Sequence, residues 1–117
     1  MASPEEMVAQ AEREQEEGHH WDALTAIDAV VDGLQGRLRR RAWLVRARAL
    51  AQNPKWRKQA EEQIKQVLAE DPASSEALFV LGHIYRAGGL ETRAAATFRK
   101  VLELRPRHAG ARAALEG

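Results

Sequence analysis

Towards the end of the chain the apolar positions fall into two helical stripes. Leu78, Leu81 and Tyr85 recur at three- and four-residue spacing, which places them on one face of a helix. Leu90, Ala94, Phe98, Val101 and Leu102 form a second stripe of the same kind. Between the two, Gly88-Gly89 supplies residues that adopt positive φ without strain and so end the first helix. Pro106 has no amide hydrogen and cannot continue the second. The pattern predicts an antiparallel helical hairpin over residues 74–106. Gly82 lies on the inward face, where a missing side chain admits a neighbouring helix. Ala94 is expected to meet it there, with Phe98 and Tyr85 filling the flanks.

The stripe recurs upstream. Shifting Ala60–Pro72 by 34 residues lays Ala60 on Ala94, Ile64 on Phe98, Val67 on Val101, Leu68 on Leu102 and Pro72 on Pro106. A middle hairpin over 38–72 follows, with Asn53-Pro54 and Asp71-Pro72 as turns. Its first helix, Leu38 to Gln52, admits two registers. Either Leu44, Ala47 and Ala51 face inward, or Trp43, Ala47 and Leu50 do. The second is preferred because it sets small Ala47 at the close crossing. A first hairpin covers 4–34. Ser3-Pro4-Glu5-Glu6 reads as a helix start, Met7 and Ala11 take the inward positions, and Gly18 ends the helix. Ala23, Ile27 and Val30 carry the second stripe. Ala23 and Ala60 stand 37 residues apart, so three residues are inserted around Gly33–Gly36. After Pro106, Ala109 to Leu115 predicts a short seventh helix.

In order, Leu78, Leu81, Gly82, Tyr85, Ala94, Phe98 and Pro106 resemble the tetratricopeptide repeat, with Leu78 in place of the family's opening tryptophan. The resemblance implies an all-α, right-handed superhelical solenoid of three antiparallel hairpins with a C-terminal capping helix, one domain over 1–117. It implies a scaffold that binds a peptide or protein in a concave groove lined by the first helix of each pair. Projected onto this chain, the groove takes Val8, Glu12 and Gln15 (with Glu5) from the first unit. Arg41, Leu44, Arg48 and Gln52 come from the second, and Glu76, Phe79, His83 and Arg86 from the third. Family members that hold chaperone tails grip a terminal carboxylate with lysine, asparagine and arginine. Here Val8, Glu12, Glu76 and Val80 occupy those positions. The two carboxylates would repel such a ligand, so a chaperone-tail partner is not expected. Self-association through an uncovered end repeat is a further route to a partner.

Charge changes the picture in one respect. The net charge is +1, yet residues 1–36 carry nine acids and one base, and residues 37–58 carry nine bases and no acid. The second block (Arg37, Arg39, Arg40, Arg41, Arg46, Arg48, Lys55, Arg57, Lys58) is the argument for an alternative, a nucleic-acid adaptor in which Trp43 and Trp56 stack on bases. Acid-rich flanking helices weigh against it and favour an acidic peptide. With no cysteine, disulfides and thiolate chemistry are excluded. No apolar run approaches the roughly 20 residues that span a bilayer, and the acidic start is unlike a signal peptide. A cytoplasmic location is the expectation.

Candidate chemistry is sparse. His19 and His20 are adjacent, so on a helix they point about 100° apart and do not chelate as an i, i+4 pair does. No carboxylate–histidine constellation with metal spacing accompanies them in the sequence, and neither metal nor cofactor is expected. His83 follows Phe79 by one turn. Either the two face a ligand in the groove, or Phe79 packs under the C-terminal helix with His83 at its border. No nucleophile elbow, phosphate loop or paired-carboxylate motif is present, and catalysis is not expected.

Overall fold

In the computed structural model, which describes residues 2–117, the first helix begins as its local chemistry requires. Met1, the first residue of the predicted 1–117 domain, lies outside the described residues. Ser3 caps α1 (Pro4–Glu16) by accepting from the Glu6 amide at 3.2 Å, and Glu6 reaches back to the Ser3 amide at 3.3 Å. This reciprocal pair satisfies two amides that a helix start leaves without internal partners. The helices that follow are α2 (His20–Val30), α3 (Gly36–Leu50), α4 (Arg57–Glu70), α5 (Ser75–Ala87), α6 (Glu91–Leu104) and α7 (Ala109–Glu116). No strand occurs among the described residues. A tight 3-10 turn, Val31–Gly33, lies just ahead of the predicted Gly33–Gly36 insertion and shares only Gly33 with it, and a second such turn, Pro54–Trp56, precedes α4. Thus α3 starts and stops two residues earlier than predicted.

The chain divides into two compact units, the first running to Gln63 and the second Ile64–Gly117, so the boundary falls inside α4. In the first unit α1 packs on both α2 and α3. Val8, Ala11, Ala23, Ile27, Leu34, Ala42 and Val45 form its core. The inward pair of α1 is therefore Val8 and Ala11, one register position away from the predicted Met7 and Ala11, and Met7 is only half-buried. On α3, Ala47 and Leu50 are buried and Ala51 is not. The register with Leu50 inward is the one adopted, and Trp43 and Leu44 both remain half-buried.

The second unit is organised around Phe98 on α6, which is fully buried with Leu78, Ala94, Val101, Ala111 and Ala114. Burying such a side chain stabilises the fold by about 1.5–3 kcal/mol. Gly82 on α5 makes room for its ring. A Cβ at residue 82 would lie 2.6 Å from Phe98 Cε1, and the three nearest atoms all belong to that ring. Ala94 is fully buried as expected, but the ring of Phe98 is what Gly82 accommodates. Phe98 enters the crossing instead of flanking it. The predicted terminal helix is present, and His108 caps it, its Nδ1 accepting from the Ala111 amide at 3.0 Å.

Candidate partner-binding faces

In the first unit the predicted groove residues separate into core and surface. Val8 is fully buried between α1 and its neighbours, and Gln15 is 6% exposed with its side-chain oxygen 2.9 Å from His20 Nδ1. Neither offers a surface to a partner. The cause is the one-residue shift of register on α1, which turns Val8 and Gln15 towards the helices that cover it. Glu12 stays half-open and meets Arg41 of α3 in a two-pronged ion pair, with Nε to Oε2 at 3.2 Å and Nη2 to Oε1 at 2.6 Å. This geometry fixes orientation as well as charge. Leu44 is half-buried, and Arg48 and Gln52 are exposed. Gln52 donates to the Arg48 carbonyl at 3.3 Å. Arg41, Leu44 and Arg48 recur at three- and four-residue spacing, so they form one stripe that α3 leaves open beside α1, with Gln52 in the turn just past its end.

In the second unit Phe79 lies under α7. A Cβ at Gly110 would lie 2.7 Å from Phe79 Cζ, and the Phe79 and His108 rings are 4.7 Å apart. Arg86 is also engaged. Its Nη2 donates to the Ala114 carbonyl of α7 at 2.7 Å, its guanidinium stands 5.0 Å over the Phe98 ring, and Nε is 3.6 Å from Glu91. An arginine on the last carbonyls of a helix satisfies groups that have no partner within it. Phe79 and Arg86 thus fasten the terminal helix, and of the predicted α5 residues Glu76 and His83 are the exposed ones. The His83 ring meets Phe79 edge-on at 4.5 Å and Phe98 at 5.1 Å. Burial holds its pKa below the usual 6.5, and the Arg86 charge lowers it further.

The basic block of the first unit is partly neutralised within the fold. Arg41 pairs with Glu12, and Arg46 pairs with Asp28 at 3.0 Å while donating to the buried Gln63 at 3.0 Å. Arg39 stacks 4.6 Å over Trp43. Acids of the preceding block therefore meet these bases across the helix packing, which reduces the charge left for phosphates.

Sequence reading missed two features of this unit. Trp21, 66% exposed, stacks on Trp56 at 6.2 Å. Glu14, His19 and Asp22 are brought together at the α1–α2 turn, where the sequence showed no carboxylate–histidine constellation. Their spacings of five and three residues span a turn, and only the turn's geometry closes them. The hydrogen bond to Glu14 raises the His19 pKa above 6.5, with the charges of Glu14, Glu17 and Asp22 adding to it.

Residues 57–109, from the start of α4 to the start of α7, match the family model of the tetratricopeptide repeat. Over that segment the chain is similar to the tetratricopeptide repeat. That match contains the Gly82–Phe98 crossing, and such repeats generally mediate protein–protein interaction on a typically non-catalytic scaffold. No curated protein matches the chain. Among the described residues no helix is long and apolar enough to cross a membrane.

Proposed function

We propose that the protein is a tetratricopeptide-repeat scaffold that binds a peptide or protein segment along the open faces of its first-position helices. In the first unit such a face comprises the Glu12–Arg41 pair, Leu44, Arg48 and Gln52; the second unit has a separate one with Glu76 and His83. The observation that carries the reading is the α3 stripe. Leu44 is an apolar side chain only half-buried by its own unit, followed one turn later by exposed Arg48. The paired Glu12 and Arg41 leave Arg48 as the cation of this stripe that has no ion pair among the described residues. The segment that fits presents an apolar side chain to Leu44 and a carboxylate to Arg48, as an acidic amphipathic peptide does.

The test compares the wild-type chain with the folded variants Leu44→Asp and Arg48→Glu in pull-downs from native lysate. A protein captured by the wild type and lost by both variants supports the α3 face. A protein retained by both removes that face from the interaction. Capture of nucleic acid that is released by added salt replaces this reading with the adaptor reading.

A further inference from the structure

Two turns in this chain share one backbone design and differ in what they hold. Between α1 and α2, Gly18 has φ +85°, its amide bonds to the Gln15 carbonyl at 3.1 Å, and the His19 amide bonds to the Glu14 carbonyl at 2.8 Å. Between α5 and α6, Gly89 has φ +80°, its amide bonds to Arg86 at 3.0 Å, and the Leu90 amide bonds to Tyr85 at 2.9 Å. This pair of bonds brings the first and sixth residues together, and an apolar contact ordinarily accompanies it. The second turn has Tyr85 and Leu90 at those two places. The first has Glu14 and His19, whose Oε2 and Nδ1 are 2.7 Å apart. The turn itself does not require an imidazole and a carboxylate there, since the same chain builds it with apolar residues.

Asp22, three residues into α2, adds a third donor. One ligand atom from each of Glu14, His19 and Asp22 lies within 4.8 Å of the other two, and a carboxylate oxygen of Glu17 is 3.6 Å from His19 Nδ1. Glu14, Glu16 and Glu17 crowd the end of α1, where the helix dipole is already negative and Arg13 is the only base of the last turn. A cation between them relieves both repulsions. The donor set is one imidazole nitrogen with carboxylate oxygens, which suits zinc better than magnesium or calcium, ions that take oxygen alone.

We infer that Glu14, His19 and Asp22 form a site for a divalent transition-metal ion, zinc being the one that fits, at the turn joining α1 to α2. The ion takes His19 Nδ1 in place of the proton shared with Glu14, which leaves to solvent. It is held by three protein ligands with coordination positions open to water, and it ties the end of one helix to the start of the next.

Titration calorimetry of the untagged chain with zinc chloride near neutral pH tests this. One zinc per chain is expected. His19→Gln weakens binding by more than about 10-fold, the least that even an outer-shell change costs a zinc site, and Asp22→Asn weakens it as well. His20→Gln, whose ring engages Gln15 instead, binds as the wild type does, and magnesium gives no heat. The three ligands are surface side chains, and circular dichroism of each variant establishes that it is folded. Absence of zinc binding by the wild type overturns the inference. So does unchanged binding by folded His19→Gln, or magnesium binding as tight as zinc.

Discussion

Replacing Gly82 by alanine sets two well-understood effects against each other. Alanine favours the helix over glycine by about 1 kcal/mol, so the substitution stabilises an open helical site. At residue 82 the added Cβ would lie 2.6, 2.8 and 2.9 Å from three atoms of the Phe98 ring, where carbon atoms prefer about 3.5–4.0 Å. The ring has little freedom to retreat. Phe98 is fully buried, and the rings of Phe79 and His83 and the guanidinium of Arg86 stand 5.8, 5.1 and 5.0 Å from it. Overpacking of this kind costs about 1–3 kcal/mol, so the clash outweighs the helix gain. A net loss of about 1 kcal/mol is expected, or about 4 °C in Tm for a chain of this size, and Gly82→Leu loses more. Urea unfolding followed by far-ultraviolet circular dichroism measures it. Gly33→Ala serves as the control, since a Cβ there meets nothing within 4 Å. Trimming the ring with Phe98→Leu should shrink the penalty of Gly82→Ala, with a coupling of about 0.5 kcal/mol or more. A Gly82→Ala chain more stable than wild type, with no coupling to residue 98, refutes the proposed crossing.

Arg86→Ala removes a charge-assisted bond to the Ala114 carbonyl and the contact over Phe98. It is expected to cost about 1.5–3 kcal/mol, and hydrogen exchange should show α7 amides losing protection first. His83 has a folded-state pKa below 6.5 because of burial and Arg86. The unfolded chain therefore takes up the proton first as pH falls. The stability this group contributes is complete above pH 6.5 and declines as pH drops through and below that value, until the folded ring is protonated too. His83→Gln should flatten that part of a stability-against-pH curve, and an unchanged slope would show that the ring is as free as in a peptide. For Glu12 and Arg41, each about a third exposed, a double-mutant cycle with Glu12→Gln and Arg41→Met should give a coupling of about 0.2–1 kcal/mol that shrinks with salt. A coupling of several kcal/mol would mean the pair is far drier than its exposure indicates.

Local rules made much of this protein legible in its sequence. Helix starts and stops were readable at Ser3-Pro4, Gly18, Asn53-Pro54, Gly88-Gly89 and Pro106, because caps, positive φ and missing amides act over a few residues. The 34-residue recurrence of Ala60–Pro72 at Ala94–Pro106 located the repeat, and the 37-residue interval pointed to extra residues between α2 and α3, where the Val31–Gly33 turn lies. Tertiary packing decided which face of each helix is covered, because neighbouring helical positions differ by about 100° and a shift of one residue exchanges core for surface. That shift made Val8 and Gln15 interior. It left Arg41, Leu44, Arg48 and Gln52 as the candidate face. Phe79 and Arg86 lie on an amphipathic stripe that is compatible with a groove or with a covering helix, and only the tertiary structure brings α7 against them. The Glu14–His19–Asp22 cluster was equally hidden, since its members converge through a backbone turn, where helical spacing gives no guide to which side chains meet.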